Sequence, residues 1–353
     1  MAKILMKGNE AIGAAAIKAG CRFFFGYPIT PQNEIPEYMS REMAKAGGVF
    51  LQAESEVAAI NMVYGAAGSG ARVMTSSSSP GIALKQEGIS YIAGAQLPCV
   101  IVNISRGGPG LGGIQPSQAD YFQSTRGGGN GDYRLLVYAP STLQEAVDLV
   151  MEAFEAADYY RNPVMVIGDG MIGQMMEPIE FKEPAKRELP SKDWATIGTN
   201  GTRKPNIINS LSLDAAELER MNIRLQEKYD IIEQNEVRYE LYNMENAEVV
   251  IAAYGTTSRI VKNAIAALKE EGINVGLIRP ITLWPFPMKA FDEIPATAKA
   301  LLSVEMSMGQ MIDDIKIASS GRWPVHFYGR CGGMIPTPNA VVEKVKEIIG
   351  GAK

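Results

Sequence analysis

Gly26-Tyr27-Pro28-Ile29-Thr30-Pro31-Gln32 follows directly on the apolar run Phe23-Phe24-Phe25. The run, its closing glycine and the two prolines predict a strand over Phe23–Tyr27 that stops abruptly. Each proline fixes its own φ and drives the preceding residue toward extended geometry. Ile29-Thr30 is thereby held as a turn at a strand end, with the Thr30 hydroxyl near the sheet edge. In open α/β sheets that edge is where ligands bind. A companion segment lies just downstream. Val49–Gln52 reads as a strand, and Ser55-Glu56-Val57-Ala58-Ala59 opens a helix rich in alanine and glycine. Two strand ends of one βαβ unit then present a hydroxyl, Thr30, and a carboxylate, Glu56.

Working outward, the alternation continues. Short β-branched or aromatic runs at Arg72–Met74, Cys99–Ile104, Leu135–Tyr138 and Val164–Gly168 are separated by helical stretches near 9–20, 33–46, 55–68, 82–93 and 142–158. This pattern predicts an α/β fold with a mostly parallel sheet and helices on both faces. Ser141 and Thr142, with Gln144 and Glu145 three residues on, supply capping-box signals for the last helix. From Glu177 to about Ser212 the pattern breaks. Pro178, Pro184, Pro190 and Pro205 among alternating charges predict a linker. Residues 213–243 read as one long polar helix, of the kind that serves as a connector or subunit contact. A second α/β unit starts at Glu248, with strands Val249–Tyr254, Val275–Ile278, Leu301–Val304 and Val325–Tyr328 and helices at Ser258–Lys269 and near 309–319. The predicted division is therefore 1–176, then a linker with its helix over 177–246, then 247–353.

Composition narrows the chemistry. A chain of 353 residues is long enough for two domains and a buried core. A net charge of −5 and a pI near 5.3 argue against nucleic acid as a partner, since that would need a basic face. Apolar content of 46% and a mean hydropathy of −0.04 describe an ordinary soluble protein. No run reaches the ~18 apolar residues of a membrane span. Met1-Ala2-Lys3-Ile4-Leu5-Met6-Lys7 turns charged too early for a secretory signal, so a cytoplasmic location is expected. Cys21, Cys99 and Cys331 are far apart with no Cys-x-x-Cys, which argues against an iron–sulfur cluster or structural zinc on this chain. His326 is the single histidine. The chemistry must come from carboxylates, hydroxyls and a cofactor, with no metal ligand set on the chain itself.

Several further segments are candidates. Residues 105–131 are rich in glycine, and a loop of this length is usually functional. Arg106 stands at the end of the Cys99–Ile104 strand, on the edge predicted for Thr30 and Glu56, where a guanidinium suits bidentate capture of a carboxylate. Taken alone it reads equally well as a surface arginine beside a flexible loop. Ser76-Ser77-Ser78-Ser79-Pro80-Gly81 places hydroxyls at the same edge. Taken alone, its favoured reading is N-capping of a helix beginning at Ile82. Gly255-Thr256-Thr257-Ser258 could bind phosphate, but capping is the preferred reading. His326, near Pro324 and Phe327, reads as a packed histidine.

Tyr27-Pro28-Ile29-Thr30-Pro31, Ser55-Glu56-Val57-Ala58-Ala59, Thr75-Ser76-Ser77-Ser78-Ser79-Pro80-Gly81 and Arg106-Gly107-Gly108-Pro109 together resemble the 2-oxoacid:ferredoxin oxidoreductases. The resemblance is to the alpha-type subunit and covers most of the chain. It implies a thiamine-diphosphate pyrimidine-binding domain followed by a transketolase C-terminal-like α/β domain. Gln32-Asn33-Glu34-Ile35-Pro36-Glu37-Tyr38 and Gly110-Leu111-Gly112-Gly113-Ile114-Gln115-Pro116 are most similar to the 2-ketoisovalerate (3-methyl-2-oxobutanoate) branch.

The resemblance implies that Glu56 hydrogen-bonds the aminopyrimidine ring of thiamine diphosphate as the catalytic carboxylate, with Tyr27, Pro28 and Ile29 beside the cofactor. Thr30 then bonds the substrate and Arg106 pairs with its carboxylate. Read alone, Glu56 is equally a carboxylate stabilised at a helix N-terminus. Gly168-Asp169-Gly170 looks like the magnesium motif of related enzymes, but no asparagine follows at a suitable distance, so it reads as a strand end.

The resemblance also implies that the diphosphate site with its Mg sits on a beta-type partner subunit, and [4Fe–4S] clusters on ferredoxin-like and gamma-type subunits. A 2-oxoacid, coenzyme A and ferredoxin are the implied reactants. The rival readings are the same chemistry on 2-oxoglutarate or pyruvate, and a non-catalytic scaffold subunit. A nicotinamide-dependent dehydrogenase is disfavoured because no Gly-x-Gly-x-x-Gly opens a helix after the first strand.

Overall fold

The computed structural model describes residues 3–182 and 187–351. Met1, Ala2 and Pro184 of the sequence reading lie outside them. In chain order the first half runs β1 (Ile4–Lys7), α1 (Gly8–Lys18), β2 (Phe23–Gly26), α2 (Glu34–Glu42), β3 (Val49–Gln52), α3 (Glu56–Gly68), β4 (Val73–Ser77) and α4 (Ser79–Gly94). It continues with β5 (Cys99–Ser105), α5 (Tyr121–Thr125), β6 (Leu136–Tyr138), α6 (Leu143–Tyr160), β7 (Pro163–Asp169), α7 (Gly170–Gln174) and β8 (Met176–Ile179). The second half comprises α8 (Ala215–Asn235), β9 (Tyr239–Tyr242), β10 (Val249–Ala252), α9 (Gly255–Glu270), β11 (Val275–Pro280), β12 (Thr282–Trp284), a 3₁₀ turn at Met288–Glu293, β13 (Ala300–Glu305), α10 (Met311–Ser319), β14 (Val325–Gly329) and α11 (Pro338–Gly351).

The larger sheet has seven strands in the order β12-β6-β7-β5-β4-β2-β3. All its pairings are parallel except β12 on β6. β4 and β5 are buried along their whole length, as strands covered by helices on both faces must be. The C-terminal ends of β2, β4 and β5 form the edge at which the candidate residues meet.

Three elements differ from the sequence reading. The predicted helix over 213–243 ends at Asn235. There the buried Glu236 carboxylate accepts hydrogen bonds from Arg187, Tyr138 and Tyr160, which ties the chain down. Tyr239–Tyr242 then forms a strand against β11, in keeping with the strand preference of tyrosine. The expected start of the linker at Glu177 falls instead within β8, which pairs antiparallel with β1. β12, although in the second half of the sequence, crosses over to complete the first sheet.

The smaller sheet runs β14-β13-β10-β11-β9, parallel except for β9. Its α/β arrangement and separate core around Val249, Ile251, Leu277 and Leu302 match the second unit read from the sequence. The larger core continues from the first sheet into the second half through Tyr254, Ile278 and Met311. Among the described residues no helix is long and apolar enough to cross a membrane.

Candidate functional site

Glu56 is the first residue of α3. The Ser55 hydroxyl accepts from the Ala58 amide at 3.2 Å, which fixes the helix start and sets the Glu56 carboxylate at its positive end. Glu56 is nonetheless buried, at 6% exposure. The wall beside it is Gly81 of α4. A Cβ on Gly81 would lie 2.7 Å from Glu56 Oε1 and 2.1 Å from Ser77 Oγ, so glycine is what lets this helix come so close.

The serines behave differently from the capping reading. α4 starts at Ser79, not Ile82, and Ser78 makes no side-chain cap bond. Pro80 in the first turn has no N–H that needs a cap. The Ser77 and Ser78 hydroxyls are fully buried, and neither has a partner among the described residues. Ser76 donates to Gln32 at 2.5 Å, and Ser79 donates to Asp120 at 2.6 Å.

Arg106 follows β5. Its amide donates to Ser79 Oγ at 2.9 Å, so the residues flanking Arg106 and Gly81 are joined. The guanidinium is buried, donating from Nη1 to the Thr30 carbonyl at 2.9 Å and from Nη2 to the Leu111 carbonyl at 2.8 Å. Its Nε–H is buried without a partner among the described residues. Thr30 is exposed, in a turn closed by the Gln32 amide on the Ile29 carbonyl at 3.1 Å. Tyr27 and Ile29 are half-buried and Pro28 exposed. The structure thus brings Thr30 and Arg106 into contact and places Glu56 on the same edge.

The glycine-rich loop folds over Arg106. The Gly113 amide donates to the Gly107 carbonyl at 2.8 Å, and Gly112 has φ +59° with no room for a side chain beside that carbonyl. Gly333 of the second unit closes on Gln115, where a Cβ would come within 2.4 Å of the glutamine Cβ. The second half of the chain therefore shapes this loop.

Asp169 is buried with both oxygens engaged, by the Met171 amide at 2.7 Å and the Thr256 hydroxyl. Burial pushes its carboxyl above the usual range. That is the strand end read from the sequence, and the structure adds a helix cap. The expected capping role of Gly255-Thr256-Thr257-Ser258 is corrected: Thr256 and Thr257 reach across to Asp169 and to Gln118, at 2.8 Å, and join the two units. His326 is half-buried on β14. Burial pushes the Cys21 and Cys99 thiols up to about 12, which leaves them unreactive.

One buried group at this edge was missed. Lys85 of α4 is fully buried and donates to Thr75 Oγ1 at 2.7 Å. It falls in phase with Ile82, Ile89 and Ile92 on the apolar face of the helix, and that helical spacing was the available signal.

A buried carboxylate, two free buried hydroxyls and a glycine wall suit a flat heterocycle that presents ring nitrogens and an amino group. These residues fit the pyrimidine half of thiamine diphosphate. The unpartnered Arg106 Nε–H beside the exposed Thr30 suits a small carboxylate.

Comparison with known proteins agrees with this geometry. Residues 14–252 match the domain described as pyruvate flavodoxin/ferredoxin oxidoreductase, thiamine diphosphate-binding. The chain belongs to this family. Residues 247–341 match core domain II of pyruvate:ferredoxin oxidoreductase. A ketoisovalerate oxidoreductase subunit of Methanothermobacter thermautotrophicus is 53% identical over 99% of both chains. The 2-oxoglutarate:ferredoxin oxidoreductase of Magnetococcus marinus, solved with 2-oxoglutarate, coenzyme A and succinyl-CoA, superposes with a TM-score of 0.87 at 29% identity. That match covers 98% of this chain and 65% of the Magnetococcus chain. A split-gene transketolase shares the fold alone, with a TM-score of 0.61 at 15% identity. As a member of the pyruvate flavodoxin/ferredoxin oxidoreductase family, the chain combines a thiamine-diphosphate-binding α/β domain with a transketolase-like second unit.

Proposed function

We propose that this chain is the alpha-type subunit of a thiamine-diphosphate-dependent 2-oxoacid:ferredoxin oxidoreductase. It acts on branched-chain 2-oxoacids, 2-ketoisovalerate foremost. The overall reaction takes the 2-oxoacid and coenzyme A to acyl-CoA and carbon dioxide, with two electrons passing to ferredoxin. The observation that carries the reading is Glu56, buried at the start of α3 against Gly81, where the free Ser77 hydroxyl also lies.

When bound, thiamine diphosphate supplies the electron sink for loss of carbon dioxide from the 2-oxoacid. Glu56 holds and shares the proton at the ring nitrogen. Gly81 lets α4 pack directly on the carboxylate and so fixes where it sits. Tyr27, Pro28 and Ile29 flank the ring from the β2 turn. Arg106 binds the substrate carboxylate, and Thr30 orients the substrate beside it. The loop from Gly107 to Gln115 covers this end of the site and limits its access to water.

The branched-chain assignment is supported by the extent of likeness: 53% identity to the ketoisovalerate relative against 34–36% to archaeal 2-oxoglutarate synthase subunits. The diphosphate site, magnesium and [4Fe–4S] clusters belong to beta-type, ferredoxin-like and gamma-type partner subunits in this reading. Exposed apolar side chains next to the site, Val57 on α3 and Leu84 on α4, support a partner docking there. The expected location is the cytoplasm. Replacing Glu56 by glutamine in the assembled complex tests the reading, as set out below.

A further inference from the structure

Lys85 has no place in the chemistry so far, yet its whole side chain is buried. α4 runs back along β4, so that Ser77 faces Gly81 while Thr75 meets Lys85 one turn further along α4, about 6 Å down the helix axis. Lys85 Nζ donates to Thr75 Oγ1 at 2.7 Å and to the Ser76 carbonyl at 3.0 Å. Among the described residues it forms no ion pair, and an ammonium has a further N–H to give.

The next contact on the same face is Gly88, where a Cβ would come within 2.5 Å of Ile60 Cγ2. Ile60 lies one turn after Glu56 on α3. Gly81 against Glu56 and Gly88 against Ile60 therefore close α3 onto α4, and Lys85 is set in the seam between those two contacts.

A buried ammonium is costly unless an opposite charge compensates it. Burial holds Lys85 down to about 7, and the charge that works against this fall is Glu56. An apolar side chain of similar length would fill the seam without that cost. Packing alone gives no reason for a lysine here, whereas the buried Glu56 side chain across the same seam does.

We propose that Lys85 is a positioning residue whose ammonium is the counter-charge of Glu56, keeping that carboxylate aimed at the ring nitrogen of a bound aminopyrimidine. This rests on the thiamine diphosphate reading of the site. Lys85 touches neither substrate nor cofactor and acts through Glu56.

The test is a cofactor titration of the assembled complex at pH 6, below the Lys85 value of about 7 so that the ammonium is charged, with thiamine diphosphate stripped and binding followed by intrinsic fluorescence. Two probes are used: thiamine diphosphate, and its analogue with C–H in place of the ring nitrogen that faces Glu56. Lys85→Met is expected to bind thiamine diphosphate about tenfold more weakly, one ordinary charge interaction, and to bind the analogue as the wild type does. On a Glu56→Gln background the same change is expected to add nothing. Unchanged thiamine diphosphate affinity, equal weakening for both probes, or the same loss on the Glu56→Gln background would overturn the proposal. If Lys85→Met fails to assemble by size exclusion, Thr75→Val takes its place. It removes the hydroxyl that holds Nζ and should give a smaller loss with the same selectivity, and a loss that ignores the ring nitrogen contradicts the proposal. A wild-type complex that binds neither probe would instead remove the cofactor reading on which the proposal rests.

Discussion

The Arg106 guanidinium donates to the backbone carbonyl of Thr30 at 2.9 Å, which locks the end of β5 to the turn that follows β2. Arginine and turn are one unit, and the buried Nε–H still lacks a partner. Arg106→Lys keeps the charge but loses the planar fork and the second anchor on Leu111. The expected outcome is a fall of about a hundredfold in kcat/KM for every 2-oxoacid, carried mainly by KM, with thiamine diphosphate content unchanged. Steady-state kinetics and cofactor analysis of the same preparation check it. Wild-type KM in the lysine variant would remove Arg106 from substrate binding.

Glu56→Gln retains shape and hydrogen bonding but cannot take up the ring proton. The complex should assemble normally while 2-oxoacid-dependent dye reduction falls by about a thousandfold or more, the scale of a general acid–base contribution. Size exclusion and anaerobic viologen reduction measure the two halves. A near-normal rate would sink the role of this carboxylate.

Gly81→Ala inserts a methyl group where Ser77 Oγ and Glu56 Oε1 already lie within 2.1 and 2.7 Å of the Cβ position. α4 must shift or Glu56 must turn away. The cost expected from such overpacking is about 1–3 kcal/mol, with most of the bound thiamine diphosphate lost. Calorimetry and cofactor content test this, and full cofactor occupancy would contradict a wall this tight.

Much of the fold was legible because β-branched runs and helical periods alternate without interruption through the first 170 residues. Glu56 and Thr30 could be read because strand-ending glycine and prolines mark the edge. The region after the first sheet was harder. No glycine or proline breaks the polar helix before Glu236, so its end had to come from a buried salt bridge between distant residues. β12 could not be assigned to the first sheet because its partner, β6, lies well over a hundred residues away. Serines before a helix ordinarily cap it, and only the folded chain, with α4 starting at Ser79 and both hydroxyls unpartnered among the described residues, shows that Ser77 and Ser78 do not.

Lys85 also gives a pH signature in stability. Its folded-state value of about 7 lies below the ordinary 10.5, so between those pH values the unfolded chain holds the extra proton. Stability from this group therefore rises as pH increases through that window and is lowest below it. The difference in Tm between wild type and Lys85→Met, measured on the complex from pH 7 to 9.5, should move in favour of the wild type as pH rises. A difference that does not change with pH contradicts the burial of this ammonium.

Substrate choice is read out by anaerobic viologen reduction with the complete, cluster-containing complex. 2-Ketoisovalerate, other branched-chain 2-oxoacids, 2-oxoglutarate and pyruvate are compared, each with and without coenzyme A. The highest kcat/KM is expected with 2-ketoisovalerate, with dependence on coenzyme A. Reduction by none of these 2-oxoacids would contradict it, leaving the chain as a scaffold within the complex.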